Sequence, residues 1–271
     1  MVPCSASAHE SLAPALFDAS GRRIATGLTH EAHSKVRSRF VCHQPVIDYA
    51  QIHGRITSVL STEGAPSVEE FTRRATAILE KIRQDPQTAG LSAAVGAPFF
   101  LPRWAGAVAA DIGTEMDQRF IPGVGRAFEQ TLPSYSFSNH HKGGLAGRLA
   151  VATGSRHDHL LQSLEQDSVV GIYFVALPGF SLPAAVEQVA ALPENFALAG
   201  GYDTSAALIG SPDLLLNPDG YPPLLWLAAL TTETPSVGYH YEAYGYNLTF
   251  NRRAHHGQAA EYWASGLVVL G

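Results

Sequence analysis

The chain has 271 residues, of which 46% are hydrophobic and 15% charged, and its formal net charge is −6. This composition indicates a folded chain that is long enough to bury a core, and it excludes an intrinsically disordered protein. Because no cluster of Lys or Arg offsets the negative charge, we expect no nucleic-acid partner and no membrane-surface partner.

The N-terminal segment predicts no targeting signal. Residues 1 to about 25 are rich in Ala, Ser and Pro, which is typical of a partly mobile segment. They lack the basic and apolar regions of a secretory signal, and the longest apolar run, near PPLLWLAAL, is too short to span a bilayer. Two cysteines, Cys4 and Cys42, do not indicate a disulfide framework. We therefore expect a cytoplasmic protein, with a single domain over residues 1–271.

Two segments before residue 64 carry a regular pattern. Residues 36–42 alternate apolar or small side chains with Arg37 and Arg39, which predicts a short strand with one basic face. Residues 45–63 fit a helix with Pro45 in its first turn and Gly64 just beyond its end. The alternative is a strand that places His53 and Glu63 on one face. We favour the helix, since this segment is long for a strand.

The clearest predicted helix covers residues 67–85. Ser67 and Glu70 form a capping-box pattern, apolar side chains follow at helical spacing, and Asp85–Pro86 ends the pattern. Residues 64–66 leave a short turn between this helix and the one before it. The two helices are therefore predicted to form a hairpin.

The second half of the chain is mainly strand-like. SVVGIYFVALPG (168–179) predicts a strand buried on both faces, and Ser181 can cap a helix that continues to about Leu192. FALAGG, AALIG and YWASGLVVLG predict further strands. In residues 236–250 the alternation of aromatic side chains changes parity near Ala243, which indicates a β-bulge. The predicted fold class is α+β, with an N-terminal helical hairpin packed on a mixed, largely antiparallel β-sheet.

Residues 37–63 contain the main candidates for a functional site. On the helical interpretation, Glu63 shares a face with apolar side chains at the end of a helix, where burial and the helix dipole favour the neutral acid that acid–base catalysis needs near pH 7. The alternative is a frayed last turn with Glu63 in solvent. His53 would lie about 15 Å away along the axis. Arg37 and Arg39 suit a substrate carboxylate, or they form an ordinary exposed strand face.

This spacing resembles the active site of bacterial tryptophan Pictet–Spenglerases, the β-carboline-forming enzymes of marinacarboline-type and streptonigrin-type pathways. Arg37 or Arg39 is followed about fifteen residues later by His53, and Glu63 comes ten residues after that. The resemblance covers residues 37–63, about a tenth of the chain, and the family's upstream Thr and downstream Ser have no clear counterpart.

The resemblance implies condensation of L-tryptophan, or a related arylethylamine, with an aldehyde in alkaloid biosynthesis. It implies a cofactor-independent homodimer in which Glu63 is the acid–base group. His53 would orient the substrate or assist proton transfer, and Arg37 or Arg39 would hold the amino-acid carboxylate.

Two other functions stay open on the sequence. Histidine pairs such as His157 and His159 suggest a metal-dependent hydrolase or lyase, although they match no zinc motif and surface histidines are the alternative. The Tyr-rich stretch 239–250 suggests a non-catalytic protein that binds small molecules. Trp104, Trp226 and Trp263 can supply an indole-binding slot or can belong to the core. The resemblance implies that no metal and no organic cofactor is needed, which is consistent with the absence of any cofactor motif.

Overall fold

The computed structural model describes residues 13–33 and 40–271. Its helices are α1 (Tyr49–Val59), α2 (Val68–Gln84), α3 (Ile112–Glu115), α4 (Ile121–Thr131), α5 (His157–Gln166), α6 (Leu182–Val189) and α7 (Gly201–Gly210). Its strands are β1 (Gly96–Leu101), β2 (Phe137–Asn139), β3 (Leu149–Val151), β4 (Val169–Pro178), β5 (Phe196–Leu198), β6 (Leu224–Trp226), β7 (Leu230–Thr232), β8 (Val237–Tyr244), β9 (Asn247–Ala254) and β10 (Trp263–Leu270). A 3₁₀ turn covers Ala89–Ala93, and a π-helical turn, Met116–Phe120, joins α3 to α4.

The main sheet is mixed and mostly antiparallel. Within the described residues, its eight strands follow the order β1-β4-β10-β6-β8-β9-β2, with β5 beside β10. The pairs β10–β6 and β2–β9 are parallel, and the remaining pairs of this sheet are antiparallel. Strands β3 and β7 form a separate antiparallel pair. The α+β class and the mixed, largely antiparallel sheet are therefore confirmed.

Helix α7 is buried along its whole length. It starts where the Gly200 N–H donates to the Asp203 carboxylate at 2.8 Å. Its Ser205 hydroxyl lies 2.9 Å from the Tyr241 hydroxyl of β8, which ties the helix to the sheet. The strand predicted for AALIG is wrong, because these residues belong to α7. A helix that is buried on every side need not show an amphipathic period, and its apolar end AALIG therefore resembles a buried strand.

The two N-terminal helices differ in how well they match the prediction. Helix α2 is confirmed: the Ser67 hydroxyl accepts the Glu70 N–H at 3.2 Å. Helix α1 is shorter than predicted, because Asp48 caps its start and the helix ends at Val59. The rings of Tyr49 and Phe71 meet edge to face at 5.5 Å. The antiparallel hairpin itself stays a prediction.

The described part of the N-terminal segment is packed onto the fold. Phe17 is 2% exposed and stacks on Phe196 at 6.1 Å. The buried Arg23 guanidinium donates to the Leu16 carbonyl at 2.9 Å. These contacts join Phe17 and Arg23 to the fold, and the partial mobility expected for residues 1 to about 25 stays a prediction. Arg37, Arg39 and most of the strand predicted for 36–42 lie outside the described residues.

The remaining predicted elements of the second half are present. Strands β4, β5 and β10 match their predictions, and the Ser181 hydroxyl caps α6 by accepting the Ala184 N–H at 3.2 Å. The change of parity in the Tyr-rich stretch is not a β-bulge. It comes from a two-residue hairpin turn between Tyr244 and Asn247, which pair with each other.

Candidate functional site

The turn after α1 carries Glu63 and is built against the segment that follows β1. The Glu63 N–H donates to the Ser61 hydroxyl at 2.9 Å. Gly64 has φ +71°, and a methyl group there would lie 2.8 Å from the Arg103 carbonyl. The Arg103 N–H donates to the Gly64 carbonyl at 2.8 Å. These contacts hold the Glu63 backbone beside Arg103 and its neighbour Trp104.

Glu63 is not the partly buried end of a helix. Helix α1 ends at Val59, and Glu63 is an exposed residue of the following turn. The C-cap of the helix is Leu60, whose N–H donates to the Ile56 carbonyl, and residues 61–64 form a turn that includes Gly64 with its positive φ. The prediction of its location is wrong in this respect.

Glu63 nevertheless lines a cleft with a volume of about 320 Å³. The other residues of this cleft, which we call the Glu63 cleft, are Ser61, Gly64, Arg103, Trp104, Ala105 and Arg119. An apolar depression adjoins it through the shared side chains of Trp104 and Arg119. Leu60, Leu101, Pro102, Phe120 and Leu164 complete that depression. Charged groups therefore lie next to an aromatic and aliphatic surface.

Arg119 reaches the cleft from the π-helical turn. This turn inserts an extra residue between α3 and α4, and such turns are often found at functional sites. The Arg119 guanidinium lies 5.5 Å from the Trp104 ring centre and 3.6 Å from the Glu115 carboxylate. Its Nη2 donates to the Leu60 carbonyl at 3.3 Å. Three contacts thus fix the orientation of a half-buried cation.

Arg103 adds a second, more exposed guanidinium group. Its Nε donates to the Glu165 carbonyl at 3.3 Å, and the residue is exposed and lines the cleft. A guanidinium fork can grip a carboxylate through two parallel N–H bonds. With Arg119, the cleft can therefore hold an anionic group close to an acid and an indole ring.

The Trp104 ring, which lines the cleft, packs against further aromatic rings. Phe120 stacks on Tyr202 at 4.4 Å with an interplanar angle of 15°, and Tyr202 lies 5.9 Å from Trp104. Burial raises the pKa of the Tyr202 phenol, and the nearby carboxylates of Glu115 and Asp111 raise it further. Tyr202 is therefore a neutral phenol at physiological pH.

The structure does not bring His53 into the Glu63 cleft. The His53 ring stacks on Phe100 at 5.1 Å, and its Nε2 lies 2.8 Å from the Pro66 carbonyl. This hydrogen bond joins α1 to the turn that leads into α2, which is a structural role. Arg37 and Arg39 lie outside the described residues, so their predicted role beside Glu63 stays a prediction.

The predicted pairing of His157 with His159 for a metal does not occur. Both residues lie on α5, but His157 is fully buried while His159 is exposed. The nearest charged group to His157 is Asp203, at 3.8 Å. Within residues 13–33 and 40–271, no group of three His, Cys, Asp or Glu side chains is arranged to hold a metal ion.

The cleft contains residues that the sequence did not single out. Trp104 is an exception, since it is one of the three tryptophans that could supply an indole slot. Arg103 was not singled out, although it precedes Trp104 in a loop after a buried strand. A polar residue at the end of a strand is a usable signal for a site. Arg119 had no such signal, because nothing in the sequence indicates a π-helical turn.

A comparison of the chain with protein-family models, with curated proteins and with solved structures finds no match. In the parts of the chain that the structure describes, no helix combines the length and the apolar character needed to cross a membrane.

Proposed function

We propose that the protein binds an aromatic amino acid in the Glu63 cleft and condenses its amine with an aldehyde in a Pictet–Spengler reaction. One observation carries this proposal: the Glu63 carboxylate, two guanidinium groups and the Trp104 indole line the same small cleft. Its volume, about 320 Å³, lies within the usual range for small-molecule sites.

The substrate would be held by complementary chemistry. Arg103 and Arg119 would bind its carboxylate, the role that the resemblance implies for Arg37 or Arg39. The Trp104 indole, which lines the cleft, would pack against its aromatic ring. The bound amino group would then lie near the acidic rim of the cleft, where Glu63 is located.

The reaction needs one group that both donates and accepts a proton. The amine adds to the aldehyde carbon to give a carbinolamine, which loses water and becomes an iminium ion. The indole carbon then attacks the iminium carbon, forming the new C–C bond. A base removes the proton left on the attacked indole carbon and restores aromaticity. We assign to Glu63 the protonation of the departing hydroxyl and the final deprotonation.

The experiment is a mass-spectrometric assay of chelator-treated protein with L-tryptophan and a panel of aldehydes. We expect a product with the mass of tryptophan plus aldehyde minus water, formed faster than without protein. Glu63→Gln should lower the rate by about 100-fold or more, the usual contribution of general acid–base catalysis. Glu194→Gln, an exposed carboxylate outside the cleft, is the matched control and should leave the rate unchanged.

Each other outcome counts against part of the proposal. Product that survives in Glu63→Gln would reject Glu63 as the acid–base group. Saturable binding of tryptophan without product for any aldehyde would make the cleft a binding site without catalysis. A cytoplasmic location and a homodimer belong to the same proposal and are tested by fractionation and by light scattering.

A further inference from the structure

A second groove lies on another part of the molecule and shares no lining residue with the Glu63 cleft. It has a volume of about 380 Å³ and lies between the loop 215–222 and the β8–β9 hairpin turn. Among the residues used below, Asn217, Pro218, Asp219, Tyr221 and Tyr246 line it. We call it the tyrosine groove.

The hairpin turn places Tyr246 in an unfavourable backbone conformation. Gly245 and Tyr246 have φ values of +56° and +71°, the positive values that a two-residue type I′ turn requires. Gly and Asn are the usual residues there, and a tyrosine is disfavoured in this region because its Cβ crowds the backbone. Its ring packs on Tyr135 at 5.6 Å, and its hydroxyl lies 3.5 Å from the Pro218 carbonyl. Strained backbone that places a side chain in a groove is a feature of ligand sites.

Tyrosine rings are unusually exposed around this groove. Tyr221 is 73% exposed and Tyr246 is 42% exposed, while Tyr244 beside the turn is 80% exposed. The other tyrosines of the hairpin, Tyr239 and Tyr241, are buried in the core. Aromatic surface left in water at one place marks a binding surface more often than scattered single residues do.

The charge of the groove is negative. Asp219 is exposed and is the one charged side chain among the described residues that line the groove. Within the described part of the chain, Asp219 forms no ion pair with a Lys, Arg or His side chain. A ligand can therefore supply the positive charge.

Asn217 shapes the loop and has little hydrogen-bonding capacity left for a ligand. Its Oδ1 accepts the Asp219 N–H at 3.0 Å and lies 2.8 Å from His43 Nε2. Its Nδ2 donates to the Val41 carbonyl at 2.8 Å. A sugar is therefore a poor candidate ligand, because it needs several hydrogen-bond partners and this groove offers few. The groups that remain are ring faces and one carboxylate.

We propose that the tyrosine groove binds an organic cation of the quaternary ammonium type. Ring faces attract such a cation through their quadrupole, and the Asp219 carboxylate adds charge complementarity. A quaternary ammonium group has no N–H, so it does not need the hydrogen-bond partners that Asn217 already uses.

The test compares two molecules of the same shape. Choline and its neutral isostere 3,3-dimethyl-1-butanol are titrated into the full chain and followed by NMR and by tyrosine fluorescence. We expect saturable choline binding that is about 5- to 30-fold tighter than binding of the alcohol, which corresponds to a cation–π contact worth about 1–2 kcal/mol. Equal affinities would overturn the proposal, as would the absence of saturation with choline.

Variants then locate the site. Tyr221→Ala removes an exposed ring and should weaken choline binding about tenfold, while Tyr221→Phe should retain it because the ring face remains. Asp219→Asn should weaken choline binding and leave the alcohol unaffected. Choline binding that is unchanged in Tyr221→Ala and Asp219→Asn would place the cation elsewhere and reject the groove. Circular dichroism of each variant confirms that the fold is retained.

Discussion

At the scale of single residues, Arg119 is a cleft residue whose side chain is oriented by three contacts. Its guanidinium is held by Trp104 and Glu115, so it presents its remaining N–H groups in a fixed direction. Arg119→Lys keeps the positive charge and removes the planar fork. We expect the kcat/KM for L-tryptophan to fall by about tenfold or more, since a hydrogen bond to a charged group contributes about 1.5–3 kcal/mol. Tryptamine, which lacks the carboxylate, should be used with nearly unchanged efficiency.

The control for this prediction is Arg126→Lys, a matched change at an exposed arginine of α4 that does not line the cleft. It should leave both substrates unaffected. The two substrates are assayed in parallel with the same aldehyde. If Arg119→Lys lowers the efficiency for tryptophan and tryptamine equally, Arg119 supports the cleft and does not bind the carboxylate.

At the scale of elements, replacing a glycine by alanine should have opposite effects on stability in two of the helices. Gly54 is exposed in the middle of α1, and a methyl group there would have no neighbour within 4 Å. Gly54→Ala should therefore stabilise the protein by up to about 1 kcal/mol. At Gly113 in α3, a methyl group would lie 1.8 Å from the Leu145 carbonyl. Gly113→Ala should destabilise the protein strongly, because the backbone at Leu145 or in α3 would have to move.

Urea unfolding of both variants and the wild type checks this contrast. The midpoint should rise for Gly54→Ala and fall for Gly113→Ala, with similar slopes. A stabilised Gly113→Ala would mean that the approach of α3 to the loop at Leu145 is looser than the structure indicates. A destabilised Gly54→Ala would contradict the exposed position of this residue on α1.

The elements also show which kinds of pattern are informative. Helix α2 was predictable because it has a capping serine and one apolar face, and these signals depend on neighbouring residues alone. Helix α7 was not, because its burial on all sides results from the sheet and the other helices around it. The two-residue turn at Gly245–Tyr246 was missed since it lacks the Asn-Gly pattern of most type I′ turns.

At the scale of the whole molecule, the Glu63 cleft is assembled from three separate segments. Glu63 follows α1, Arg103 and Trp104 follow β1, and Arg119 belongs to the π-helical turn. The sequence indicated Glu63, yet it could not indicate Arg119, because their proximity depends on how α1, β1 and α4 pack together. His53 is the opposite case. Its spacing from Glu63 along the chain predicted that both residues belong to one site, but its side chain packs on Phe100.

The stability of the whole fold should depend on pH through a buried histidine. His240 is fully buried on β8, against Trp226 at 5.1 Å. Burial lowers the pKa of His240, and Arg253 lowers it slightly, against the opposing effect of the Glu242 carboxylate. The unfolded chain, with an ordinary histidine pKa of about 6.5, therefore takes up a proton before the folded chain does. This contribution to stability is complete above pH 6.5 and is lost as the pH falls below it.

His240→Gln removes this titration and so isolates its contribution. We expect the urea midpoint of the wild type to fall between pH 7.5 and pH 5.0, and the variant to lose less over the same interval. His255, whose pKa burial also lowers, acts in the same direction, whereas burial raises the pKa of Asp203 and gives the opposite slope above pH 4. Both groups remain in the variant, so their effects cancel in the comparison. An equal loss in the two proteins would show that His240 gains its proton as readily in the folded chain as in the unfolded one.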